Sequence, residues 1–370
     1  MRISNSTVVA VFLIILAFQI LNIRFIIYTI PILALLKMWL VNKYEKNSLT
    51  TAAFILLIIT IFTGLLSFIV TDEAIHSESL KQLFFLVAGL FSALIISNGV
   101  KVEFLIGFLK YFTILFLANE FVREPFYIFS LILNPLRFFI DSESDTETIF
   151  AFVYGLLTLL FLKKKDYKYA GMSLLLVSYG GKRIVFLAIA LSLIIQKLYL
   201  LFPRIRRLIG WGFAGISLFY ISLVRLIIDG SLDSFFTSVF GATANYILKG
   251  RVYLFSSILN HFENFSYFGY GVGSTSDYLI NGFLNTTLTL LHSEILRLYI
   301  EIGLVSSVIW FYTLGKIASF TKESMLFTSY LFILMFSDNV LIYMETVFMV
   351  FFFIIVFGSS DLMRGNKNEK

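Results

Sequence analysis

Long apolar runs separated by short polar breaks set the rhythm of this chain. A helix that crosses the hydrocarbon core needs about 20 residues, and shorter ones serve where the bilayer thins or flanking side chains reach back to the headgroups. Twelve runs qualify, near residues 7–22, 25–41, 51–70, 80–97, 104–118, 148–162, 169–180, 184–200, 208–228, 299–316, 325–342 and 345–359. In lipid every backbone N–H and C=O needs a partner inside the segment, and a helix supplies one unaided. The expected fold is therefore all-α, a single polytopic transmembrane helical bundle of about 12 spans over residues 1–370.

The polar breaks differ in charge. With the N-terminus in the cytoplasm, the inner breaks take Arg2, Lys43, Lys46, Lys101, Lys163, Lys164, Lys165, Lys168, Lys197, Arg204, Arg206, Arg207, Lys316, Lys322, Arg364, Lys367 and Lys370, 17 of the 29 basic residues. The inverted orientation would carry the KKK and PRIRR breaks outside, against the positive-inside bias. Both termini are thus expected in the cytoplasm of a bacterial inner (plasma) membrane. Residues 1–21 are as apolar as a signal peptide, but no small-residue cleavage site follows and further spans come at once, so the segment is expected to stay as the first helix.

Two outer intervals are too long for turns. The smaller, 119–147, carries Glu120, Arg123, Glu124 and Pro125, an apolar stretch, and an acidic run with Asp141, Glu143 and Asp145. The larger, 229–298, gathers most of the clustered Gly, Ser, Asn and Thr, and is expected to hold short helices and the chemistry. No fixed-period repeat marks the chain.

Composition sharpens this picture. With 59% hydrophobic and 14% charged residues and a mean hydropathy of +0.90, a soluble globular domain is excluded. The absence of cysteine removes disulfides, thiolate nucleophiles, Cys-ligated zinc and iron–sulfur clusters. The net charge of +6 lies in the short breaks, so membrane topology accounts for it and no nucleic-acid partner is implied. No His/Asp/Glu spacing suggests a metal, and no cofactor is expected.

Candidate chemistry gathers in the larger outer interval: Gly250-Arg251, then Phe268-Gly269-Tyr270-Gly271-Val272-Gly273-Ser274, then His292-Ser293-Glu294-Ile295-Leu296. Gly180-Gly181-Lys182-Arg183 lies at another outer end, between the seventh and eighth runs, and Arg225 near the outer end of the ninth. In this order the pieces resemble the O-antigen polymerase and O-antigen ligase superfamily. An Arg early in a large outer loop, an F-G-x-G-x-G/S element and an H-[NSQ]-x-x-L motif typify that superfamily, and the twelve-run layout fits it over essentially the whole chain. The match at Arg183 is looser, because Lys182 stands where Ser is common.

The resemblance implies a glycosyltransferase acting outside the cytoplasm on a lipid-linked oligosaccharide, the donor being undecaprenyl diphosphate-linked. It also implies a flippase and a chain-length regulator as partners beside membrane lipid. Independently, glycosyl transfer there needs a donor already activated, since nucleotide sugars are absent, and a lipid diphosphate leaves as an anion. Arginines grip phosphate oxygens bidentately, which makes Arg183 and Arg251 candidates for that leaving group. An acceptor hydroxyl must lose its proton, which suits His292 as base. Displacement with one base and no enzymic nucleophile inverts the anomeric carbon. Lys182, Arg225, Tyr270 and Ser274 are candidate substrate-binding residues, Tyr270 by stacking on a sugar and Arg225 through phosphate.

Plainer roles compete at each position. Arg251 and Arg183 could anchor at the headgroups, and the glycines of FGYGVGS could serve turns and close backbone approach. No strand precedes that segment and no Lys-Ser/Thr follows, so it is not a P-loop. A helix over 286–300 would pair Arg297 with Glu294 and Glu301 and put His292, Leu296 and Tyr299 on one face. His76, His261 and the Asp141 acidic run read as solvated. Repeat-unit polymerase is the leading function, O-antigen ligase to lipid A core the alternative. A lipid-linked oligosaccharide flippase or other transporter comes third, since such proteins show repeats and broken helices.

Overall fold

The computed structural model describes residues 2–41, 44, 46–70, 77–134, 148–248, 250–262, 266–282 and 290–368. Every regular element among them is helical. The first half holds α1 (Arg2–Leu21), α2 (Thr29–Leu40), α3 (Ser48–Val70), α4 (Ser77–Ser97), α5 (Val102–Arg123), α6 (Pro125–Leu133), α7 (Phe150–Lys163) and α8 (Tyr167–Tyr179). Then come α9 (Arg183–Leu201) and α10 (Ile209–Ile228), followed by the short helices α11 (Asp233–Phe240), α12 (Ala244–Ile247), α13 (Arg251–His261) and α14 (Ser274–Asp277). The chain closes with α15 (Glu294–Glu301), α16 (Leu304–Ser319), α17 (Lys322–Leu334) and α18 (Met344–Asn368). Seven of these are long and apolar enough to cross a membrane, namely α1, α3, α4, α5, α9, α10 and α18. Helices α7 and α16 are apolar but shorter.

Two helices form the centre. Residues Phe150–Phe161 of α7 are buried on every side, and the apolar stretch Val347–Phe357 of α18 is buried throughout. Around them α18 packs on α4, α17 and α3, while α9 packs on α17 and α10 on α16. Small residues let α10 and α16 come close: a Cβ on Gly315 would stand 2.8 Å from the Gly210 Cα. The outer faces keep Phe62, Phe219 and Trp211 more than 60% exposed, as a lipid-facing surface requires.

Two apolar runs are not continuous helices, and both breaks have a local cause. In 299–316 the helix stops at Glu301 and restarts at Leu304 around Gly303, whose φ is +84°. The glycine segment crosses there backbone to backbone, so that a Cβ on Gly303 would fall 2.3 Å from the Gly269 N and one on Gly269 2.2 Å from the Glu301 O. Tyr270 N–H donates to the Ile300 O and Gly271 N–H to the Glu301 O, each at 3.0 Å, which satisfies carbonyls left open by the end of α15. In 325–342 the α-helix ends at Leu334, and the turn that follows carries Asp338 and Asn339 before a short 3-10 turn, Val340–Ile342. The Met335 carbonyl accepts the N–H groups of Glu294 (2.9 Å) and Ile295 (3.3 Å), so the start of α15 caps against the end of α17.

The smaller outer interval begins later than its polar residues suggest, because α5 continues to Arg123 and α6 starts at once with Pro125 in its first turn. His76 and the run with Asp141, Glu143 and Asp145 lie outside the described residues. The expected helix over 286–300 is corrected: α15 begins only at Glu294, with Ser293 as its N-cap, and His292 precedes it at φ +55°. His292 therefore does not share a helical face with Leu296 and Tyr299. Ser293 displaces it by closing the helix, its hydroxyl accepting from the Leu296 N–H at 3.4 Å.

Candidate functional site

The turn after α17, residues 335–339, is where the dispersed polar residues meet. From the larger interval, Arg251 opens α13 behind Gly250 (φ +79°) and its Nη1 donates to the Ser337 carbonyl at 3.1 Å. From the turn between α8 and α9, Lys182 extends its ammonium to Asp338 Oδ2 at 2.7 Å, an ion pair with side chains 11% and 4% exposed. From α10, the Tyr220 hydroxyl donates to the Phe336 carbonyl at 2.8 Å. It also accepts from Ser293 Oγ at 3.1 Å, and the Arg251 guanidinium is near enough to act on it electrostatically. Arg251, Lys182 and the residue following His292 thus converge on one turn, although 156 positions separate Lys182 from Asp338.

The backbone at His292 is set by this anchoring. Ser293 holds Tyr220 on one side, and the Glu294 and Ile295 N–H groups hold Met335 on the other, so the preceding residue is forced into the left-handed region. A histidine with positive φ is uncommon, and such conformations concentrate where function over-determines the backbone.

Beneath the turn a buried charge network fixes α15. Arg297 forms ion pairs with Glu294 and, at 3.8 Å, with Glu301, and donates to Gln82 Oε1 of α4 at 3.0 Å. Glu294 accepts in addition from the Leu341 N–H at 3.1 Å, tying α15 to the 3-10 turn after 339. Burial pushes the Glu294 carboxyl up to about 7, with the Arg297 charge pulling the other way. Thr275 donates to Glu301, and Gln82 donates to Ser276 at 2.9 Å. The expected pairing of Arg297 with both glutamates is present, and its role is to hold the helix.

The remaining candidates separate. Arg183 is exposed at the start of α9, so of the Lys182–Arg183 pair it is the lysine that reaches the turn. Arg225 is exposed too, and five residues beyond Tyr220 it stands about 140° further round α10. Tyr270 is half-buried with its ring 4.9 Å from that of Phe262, and its backbone caps the far end of α15. Ser274 is buried with no hydrogen-bond partner for its hydroxyl. Both belong to the glycine crossing at the end of α15 opposite His292, about 12 Å along an eight-residue helix. His261 stacks on Tyr278 at 4.0 Å.

Three residues of the cluster escaped the sequence reading. Tyr220 sits in an apolar span and looks like lipid-facing aromatic. Asp338 and Asn339 do leave a trace, as two polar residues in a run otherwise read as one helix. Asn339 is fully buried with both amide atoms lacking a hydrogen-bond partner, a cost that natural interiors rarely carry without a purpose. Chemically, two cations reach the turn, Arg251 at the Ser337 carbonyl and Lys182 at the Asp338 carboxylate, and Ser293, the neighbour of His292, is tied to it through Tyr220. Comparison with protein-family models, curated proteins and solved structures finds no match for this chain.

Proposed function

We propose that the protein is a polymerase of undecaprenyl-diphosphate-linked oligosaccharide repeat units in the bacterial inner membrane, crossing it about twelve times with both termini cytoplasmic. The short helices α2, α7, α8, α16 and α17 would complete the crossings beside the seven long ones. The observation that carries this reading is the convergence of Arg251, Lys182 and the His292-Ser293 step on the turn at 335–339. In the reaction the bond between the anomeric carbon and the diphosphate oxygen breaks as the acceptor oxygen bonds to that carbon from the opposite face. His292 takes the acceptor proton. Arg251 and Lys182 hold the departing diphosphate, Lys182 exchanging Asp338 for a phosphate oxygen of higher charge. This assignment replaces Arg183 by Lys182 as the second cation.

The test is made in the host. Deleting the gene and separating the surface glycan by electrophoresis should remove the ladder and leave a single repeat unit, and Arg251→Ala, His292→Ala and Lys182→Ala should do the same while the protein still inserts. A full-length ladder in Arg251→Ala and His292→Ala would refute the assignment. Long lipid-linked chains with a bare lipid A core would instead indicate the ligase. The breaks at 302–303 and 335–343 favour one further reading, a lipid-linked oligosaccharide carrier. Under that reading, deleting the gene would leave repeat units stranded on the cytoplasmic leaflet, inaccessible to lectin added to intact spheroplasts.

A further inference from the structure

At the opposite end of the bundle from the turn at 335–339 lies a second feature, a cavity of about 820 Å³ among α2, α3, α4, α18 and the first turn of α5. That volume lies in the range that takes a small organic ligand. Its walls are layered. Leu57, Phe91, Leu94 and Val356 line its apolar part, while Lys46, Asn47, Asn98, Ser359, Ser360 and Glu103 line its polar end. Leu57 stands nine residues inside the start of α3 and Phe91 six before the end of α4, so the apolar part runs roughly 9 to 13 Å into the bundle.

The mouth is braced. Lys37, itself 1% exposed, donates to the carbonyls of Ile96 (2.8 Å) and Asn98 (2.6 Å), which pins α2 to the end of α4. Asn47 donates to Ser359 Oγ at 2.9 Å, which pins the start of α3 to α18. On the flank the cavity is open, since its lining residues Met38 and Phe54 are 43% and 53% exposed on the outer surface of the helices. A slot with polar lips, apolar walls and a side opening among lipid-facing residues fits an amphiphile entering from the membrane. The Tyr44 hydroxyl, which lines the slot, is buried with no hydrogen-bond partner and supplies an unused donor at the lips.

Charge selects among amphiphiles. Among its described lining residues the charged ones are Lys46 and Glu103. A phosphoethanolamine headgroup carries the complementary pair, a phosphate for Lys46 and a primary ammonium that donates N–H to Glu103. A phosphocholine nitrogen has no N–H to give, and a phosphoglycerol headgroup has no cation. We infer that this slot binds one diacyl phospholipid with a phosphoethanolamine headgroup, phosphate on Lys46 and ammonium on Glu103, with an acyl chain along Leu57 and Phe91. The inference is independent of the reaction proposed at the other end.

The experiment uses the purified, delipidated full chain in detergent, titrated with phosphatidylethanolamine, phosphatidylcholine and phosphatidylglycerol of identical acyl chains. Native mass spectrometry and thermal unfolding provide the readouts. One phosphatidylethanolamine should bind per chain, about tenfold more tightly than phosphatidylcholine, as one charge-assisted hydrogen bond provides. Glu103→Gln should erase that preference, and Lys46→Gln should weaken all three lipids. Thr51→Trp, which fills the slot, should abolish the one-to-one adduct, whereas Leu187→Trp on another lipid-facing surface should not. Equal binding of the three lipids in wild type and Thr51→Trp, the behaviour of an annular shell alone, would overturn the inference, as would preference for phosphatidylglycerol. Should Thr51→Trp fail to fold, Lys46→Gln and Glu103→Gln decide the matter, since both side chains are exposed.

Discussion

Replacing Lys182 by methionine tests how the turn at 335–339 is held. The side chain keeps its length and loses its charge, leaving the Asp338 carboxylate 4% exposed and without its ammonium. Removing one partner of a fully buried ion pair costs roughly 3–5 kcal/mol, because the other charge stays uncompensated. Lys182 retains 11% exposure, which allows some relief through water, so the expected loss lies at the lower end, about 3 kcal/mol. Asp338 also accepts from the Asn339 N–H at 2.9 Å, a bond that asparagine can keep. The double variant Lys182→Met, Asp338→Asn should therefore recover most of the loss. Arg183→Met, one residue away and exposed, should change stability by no more than about 0.5 kcal/mol. Unfolding by sodium dodecyl sulfate in mixed micelles, followed by intrinsic fluorescence, measures all three. A larger loss in Arg183→Met than in Lys182→Met, or no recovery in the double variant, would refute the placement of the lysine.

Other outcomes follow from the same geometry. Gly303→Ala places a Cβ 2.3 to 2.5 Å from backbone atoms at φ +84°, and should lower the unfolding midpoint far more than Gly241→Ala, where φ is +69° but the space is open. If both changes cost the same, the backbone crossing at Gly269 is wrong. Arg297→Met leaves Glu294 and Glu301 buried together and should prevent stable insertion, with Arg297→Lys recovering part of it; pulse-chase of membrane-inserted protein reads this. Because Glu294 is held at about 7, above its ordinary 4.5, the folded chain binds more protons than the unfolded one between those values, and stability should fall as pH rises through that window. Unfolding at pH 5, 6 and 7 checks the sign, and Glu294→Gln should make the slope shallower; a rise with pH in the wild type contradicts it. Arg251→Lys should retain charge and lose bidentate grip, so it should leave short glycan chains where Arg251→Ala leaves single units.

What could be read from residue order alone was the material and its periodicity. An apolar run long enough to cross lipid has to be helical whatever surrounds it, because only a helix pairs its own backbone there. Each of the twelve runs accordingly overlaps helical elements, two of them with a break, at 302–303 and at 335–339, and Arg297 could be matched to Glu294 and Glu301 because helix geometry relates residues three and four apart. The site was partly legible for a related reason: Arg251 and His292 sit in short polar motifs that stand out against an apolar background. What the tertiary structure alone decided was direction. Whether Lys182 or Arg183 turns inward depends on how α8 meets α9, and adjacent residues at a helix start differ only in azimuth. The breaks at 303 and 335 arise because a distant segment supplies hydrogen bonds to each helix end, as Gly269–Gly271 do for one and Glu294 and Ile295 for the other. Tyr220 and Asp338 acquire their place only through partners dozens to more than a hundred positions away, which no local pattern encodes.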